Sequence, residues 1–253
     1  MTTLADSVRA ASLRRVGAVA RLRARRQIRS RRLLLAALMA LLPWLAIDAA
    51  QLLPRIAALT EFTIVGATVL VAGALADDLD GGQYAIALTH DCLPLDALLG
   101  ELIAGLVLSL LLVLLGLPFV LQAVTVARIG ALLLCLVWLV ALVAGWVSLM
   151  LLLATTLHGV GNGVAMIPLI FALPILSSAT ILGRLPAQLA GVARFALQLV
   201  PAPQQAGRMY EAILLGAAAP RIAAYALLAG PFVYFTVAAA RLARIEPAGR
   251  IAA

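Results

Sequence analysis

DDLDGGQYAIALTHDCLPLDALLGELIAG, residues 77–105, is a polar, acidic, glycine-hinged stretch inside a chain that is otherwise almost continuously apolar. Asp77, Asp78 and Asp80 precede Gly81-Gly82, a short apolar segment runs from Tyr84 to Leu88, and Thr89-His90-Asp91 and Pro94 lead into the next apolar run. The glycines permit a sharp turn, and Pro94 favours the first turn of a helix. The pattern predicts a short helix held between two turns at a membrane surface, where a partner pressing on it would move both attached segments. Of the 253 residues 64% are hydrophobic, whereas soluble domains hold roughly 45–50% apolar residues. The chain therefore reads as an integral membrane protein.

Outward from this island, six runs approach the roughly 20 apolar residues needed to cross a hydrocarbon core. They are residues 33–53, 60–76, 102–124, 129–153, 164–182 and 222–240. All six read as helices, because lipid tolerates only a backbone bonded to itself and the runs are far too long for barrel strands. The expected fold is an all-α membrane protein of six transmembrane helices, forming one membrane domain over residues 33–253. Arg9, Arg14, Arg15, Arg21, Arg23, Arg25, Arg26, Arg29, Arg31 and Arg32 all lie ahead of the first run. That asymmetry marks the cytoplasmic side. Interleaved with Val8, Leu13, Val16, Val19, Leu22 and Ile28, they predict a moderately amphipathic helix over residues 1–32, lying on the inner leaflet. Its basic side would meet anionic headgroups at about 1 kcal/mol for each arginine.

Six crossings return the C-terminus, with Arg241, Arg244 and Arg250, to the same side. The island and the turn at 158–163 then also face the cytoplasm. The outer connections at 54–59 and 125–128 are short, but residues 183–221 are not. Their first part, 185–200, is too short to cross and carries Gln188, Arg194 and Gln198; Pro201 and Pro203 break it; and a second run, 204–215, holds Arg208, Tyr210 and Glu211. Two short helices dipping into the outer leaflet are expected there.

Several function classes are disfavoured. Every basic residue is arginine, so no lysine serves a phosphate loop or a Schiff base, and nucleotide chemistry must sit on another chain. The net charge of +8 is concentrated ahead of an apolar span, a membrane signature rather than a nucleic-acid one. Cys92, Cys135, His90 and His158 are too few and too scattered to support a disulfide framework or a metal site. A membrane hydrolase using Glu61, His90 and His158 would need groups about a bilayer apart to meet. No catalytic residues are expected. Asp48 and Glu61 fall near the outer ends of spans one and two, where ionisable groups are costly; they either line a polar path or reach for the interface. Ala141, Ala144, Gly145 and Ser148 suggest close helix packing in span four, and Trp44, Trp138 and Trp146 read as packing or belt residues.

Residues 77–101 resemble the first cytoplasmic loop of type-2 ABC exporter membrane subunits. In that family an acidic residue and a glycine precede a short coupling helix, followed by a threonine-proline turn and a Leu-Leu-Gly-Lys lead into the third span. Here the corresponding residues are Asp80, Gly82, Thr89 and Leu98-Leu99-Gly100-Glu101. The segment 21–43 looks like the family's basic connecting helix running into span one, and residues 185–215 look like its outer re-entrant hairpin. Two departures stand out: Asp91 replaces the proline after the threonine, with Pro94 displaced from it, and Glu101 replaces the lysine, reversing a charge where the span begins. Features of the haem-related exporter B subunit of cytochrome c maturation and of the nitrous-oxide-reductase maturation permease are both present.

The resemblance implies a permease pairing with a second copy of itself in the bacterial inner membrane, above two ATPase subunits that bind ATP and magnesium. This chain would bind no cofactor. Asp80, Gly82, Tyr84, Leu88 and Thr89 would contact the ATPase, with Arg25 and Arg29 as a second contact, and the substrate path would run past spans one, two and five. An alternative within the same fold is a maturation-type subunit that transports nothing and acts mechanically on an outer accessory protein.

Overall fold

Long runs of leucine, alanine and valine make the helices, and the connections fall at proline, glycine and charge. A computed structural model of the chain describes residues 4–42, 51–71, 94–155, 183–184, 186–218 and 220–250. Among these, eight α-helices occur: α1 (Leu4–Ile28), α2 (Arg31–Leu41), α3 (Leu52–Val71), α4 (Pro94–Leu121), α5 (Ile129–Ala154), α6 (Ala187–Leu199), α7 (Pro203–Leu215) and α8 (Arg221–Arg250). A single 3₁₀ turn, Val126–Arg128, leads into α5, and no strand is present among the described residues. Four stretches are long and apolar enough to cross a membrane: Leu52–Val71, Leu95–Leu121, Val126–Ala154 and Arg221–Leu242. Of the six expected runs, 164–182 lies outside the described residues, and 33–53 and 60–76 lie partly outside them.

The boundaries differ from expectation in three places. Residues 54–59 are not a connection, because α3 already begins at Leu52. Pro54 stands in its first turn, where backbone N–H groups have no partner inside the helix and a missing one costs nothing. α4 starts at Pro94, eight residues ahead of the expected apolar run, so that Asp96 and Glu101 become helical. α8 continues past 240 to Arg250. In residues 183–221 two short helices, α6 and α7, are joined across Pro201, and Gly216 ends α7 in the left-handed conformation at φ 70°.

α4 is the axis of the packing. Its 28 residues extend about 42 Å, and α1, α2, α3, α5 and α8 all lie against it. Without a hydrophobic force between helices in lipid, close approach at small residues supplies much of the association. α3 and α4 interlock in opposite directions: Leu59 seats over Gly116, Leu112 over Gly66, and Val71 with Val147 of α5 over Gly105. A methyl group on Gly66 would lie 2.6 Å from Leu112 Cδ1, and one on Gly105 2.9 Å from Val147 Cγ1. On α5, Gly145 admits Pro201 from the turn between α6 and α7 at 3.1 Å, with Pro231 of α8 beside it.

Two buried hydrogen bonds cross this core. Trp146 Nε1 donates to Thr68 Oγ1 at 3.0 Å, and Thr68 donates onward to the Ile64 carbonyl at 2.8 Å. The Thr60 and Tyr210 hydroxyls lie 2.9 Å apart, joining α3 to α7. Trp146 is therefore a packing residue with its one polar atom satisfied. At the far end of α4, Arg55 Nη1 donates to the Phe119 carbonyl at 2.6 Å and to Gln122 Oε1 at 2.9 Å, its guanidinium 4.8 Å from the Phe119 ring centroid. A cation on the last carbonyls of a helix meets the negative end of its dipole.

These contacts predict that Gly66→Val and Gly116→Val each lower stability by about 1–3 kcal/mol through overpacking. Gly130→Ala, at a site with nothing within 4 Å of the added carbon, should change it by less than about 0.5 kcal/mol. Thermal unfolding of the purified protein in one detergent measures all three.

Candidate functional site

The site with the most chemistry among the described residues is where α1 meets the first turns of α4. Between Arg55 and Arg128 the chain has no arginine or lysine, so Asp96 and Glu101 have no permanently charged partner nearby in sequence. Both are nonetheless buried, with 2% and 6% of their surface exposed. An uncompensated charge in such a place is disfavoured by several kcal/mol at the least, so the partners come from a sequence-distant element.

α1 supplies them. Ser12 Oγ donates to Asp96 Oδ1 at 2.6 Å, and Arg15 Nε donates to Asp96 Oδ2 at 3.0 Å. One turn further along α4, Arg23 pairs with Glu101, and Arg26 adds a second positive charge close to it. Between the two ion pairs α1 lies almost on the α4 backbone: a side chain at Gly100 would fall 2.5 Å from Val19 Cγ1 and 3.2 Å from the Ala20 amide nitrogen. Val16 and Ala20 are buried beside it. Gly100 thus sets the distance at which the carboxylates and guanidinium groups meet, and Val19, branched at Cβ, has no rotamer that relieves a clash there. Arg23 and Glu101 are only 14% and 7% exposed at their side chains, so this pair depends on its geometry more than an exposed ion pair would.

This arrangement accounts for one of the two departures that stand out in the sequence. Glu101, which reverses the charge at the head of the span, is the carboxylate that Arg23 requires. The docked face of α1 is mixed rather than apolar because the surface it covers carries carboxylates; Leu13 and Leu22 are left 72% and 66% exposed. Arg25 and Arg29 also stand exposed, on the opposite side of α1. Asp80, Gly82, Tyr84, Leu88, Thr89 and Asp48 lie outside the described residues, as do His90, His158 and Cys92. Glu61 is on α3 and exposed. The island thus enters the described structure only through its last residues, from Pro94 onward. Among the described residues no group of three histidine, cysteine or acidic side chains is placed to hold a metal ion.

Ser12, Arg15, Arg23 and Asp96 are functional candidates that sequence reasoning missed. The signal for them was the absence of any arginine or lysine near the two acids.

Neither a protein-family model nor a characterised protein matches the chain.

Truncating one member of the buried pair leaves the other charge unpaired, so Glu101→Ala is expected to cost about 3–5 kcal/mol. The double change Arg23→Met with Glu101→Leu should cost less than Glu101→Ala alone, since it leaves no orphan charge. Unfolding midpoints of the Glu101→Ala variant and the double variant check this.

Proposed function

We propose that the chain is the membrane-embedded subunit of an ATP-driven exporter of the type-2 ABC class, moving its substrate outward with energy released on a separate ATPase subunit. The observation that carries this reading is the latch between α1 and α4. A partner that displaces the island at 77–93 pushes directly on the start of α4. The pairs Ser12 and Arg15 with Asp96, and Arg23 with Glu101, make α1 follow that push as part of one body. Rigid movement of packed helices about an interface is the ordinary way a local push becomes a global change. The continuity of α4 over 28 residues carries the movement toward its other end, where Arg55 ties it to α3.

On this reading two copies of the chain pair in the bacterial inner membrane with both termini in the cytoplasm. Two ATPase subunits dock beneath them at Asp80, Gly82, Tyr84, Leu88 and Thr89. The substrate passes between the copies, near Asp48 and Glu61, and α6 and α7 form a hairpin at the outer surface. The chain itself makes and breaks no covalent bond in this scheme. ATP and magnesium belong to the partner.

The test is co-expression with a candidate ABC ATPase subunit from the same source, purification, and reconstitution. The wild-type chain is expected to co-purify with that ATPase. Asp80→Ala combined with Gly82→Leu is expected either to detach it or to lower substrate-stimulated ATP hydrolysis by about tenfold, within the usual range of coupling between distant sites. An ATPase that neither associates with the wild-type chain nor responds to the double change would rule out this function.

A further inference from the structure

Arg26 aside, which lies close to Glu101, the latch divides the arginines of residues 14–29 into two sets. Arg15 and Arg23 are spent on Asp96 and Glu101. Arg14, Arg21, Arg25 and Arg29 are exposed, and their spacing places them along one side of the helix, opposite the docked face, over a length of about 22 Å at 1.5 Å per residue. No acidic side chain among the described residues pairs with this row. Leu13 and Leu22, both exposed, border it on either side. The helix that carries it is fastened to the first turns of a segment, Leu95–Leu121, that is long and apolar enough to cross a membrane.

We infer that this outward row is a binding site for anionic lipid headgroups, and that the latch makes the inner end of α4 respond to their presence. A headgroup layer supplies phosphates at many lateral positions and an acyl boundary beneath them, so it meets the four guanidinium groups and the two leucines together. A nucleic acid or a soluble anion would satisfy the arginines and leave the leucines in water. Guanidinium groups suit phosphate through paired N–H donors. Because the inward face of α1 is tied to Asp96 and Glu101, headgroups that hold α1 also steady residues 95–104. The inference does not depend on the exporter reading.

The experiment places the full chain in nanodiscs of equal parts phosphatidylglycerol and phosphatidylcholine, extracts it mildly, and measures the retained lipid by mass spectrometry. The wild-type chain is expected to retain phosphatidylglycerol over phosphatidylcholine by more than about tenfold, given the attraction of each arginine near an anionic surface. Arg14→Gln, Arg21→Gln, Arg25→Gln and Arg29→Gln together should bring the two lipids near parity. The charge-matched set Arg128→Gln, Arg184→Gln, Arg208→Gln and Arg221→Gln should keep the preference. Hydrogen exchange over 95–104 should slow with phosphatidylglycerol content in the wild type and not in the row variant. If the fourfold variant does not fold, the pairs Arg14→Gln with Arg21→Gln and Arg25→Gln with Arg29→Gln should each lower the preference in part. An unchanged preference in the row variants, or its displacement by inorganic phosphate, would overturn the inference. So would loss of a bound ATPase with the lipid preference intact, which would assign the row to a protein partner.

Discussion

Everything where α1 meets α4 depends on one requirement: two carboxylates at the head of an apolar helix must meet positive charge at short range. Asp96 and Glu101 are buried where an isolated charge is strongly disfavoured. Their partners come from α1, and α1 approaches closely enough only because position 100 has no side chain. Packing and electrostatics are therefore not separate contributions there. Enlarging Gly100 would separate the charges, and removing a charge would leave the close approach with an unpaired ion beneath it.

The rest of the core repeats this dependence on small residues without the charges. Gly66, Gly105 and Gly116 let α3, α4 and α5 approach until leucine and valine side chains fill the space a β-carbon would take. The polar groups buried in this region include Thr60 with Tyr210 and Trp146 with Thr68, each bridging two helices. Burial holds the Tyr210 phenol well above its ordinary pKa, so it stays neutral and tolerates its apolar surroundings. α7 is thereby joined to α3 by a hydroxyl pair and to α5 by the seating of Pro201 on Gly145.

Apolar run length made the helical class and the course of α4, α5 and α8 legible in the sequence, and proline placement did the same for the break between α6 and α7. Helix starts were less legible, because hydropathy marks where a segment becomes apolar and not where its backbone becomes helical. α4 begins eight residues ahead of its apolar run for that reason, and α3 absorbs Pro54, which looked like a connection. The arginines of α1 were legible as one dense basic group. Their division into docked and outward sets was not, because it is decided by carboxylates more than seventy residues away. Arg55 was hidden in the same way, its acceptors at Phe119 and Gln122 being distant in the chain.

The two fastenings of α4 share a direction in time. Arg15 and Arg23 hold its beginning and Arg55 holds its end, and all three are synthesised before α4 itself. Chains fold as they are made, with earlier segments in place first. α4 therefore follows, in order of synthesis, the groups that receive its acidic start and its final carbonyls. This strongly apolar helix is held by groups made before it, and the acids that would hinder its insertion are neutralised by a helix that precedes them.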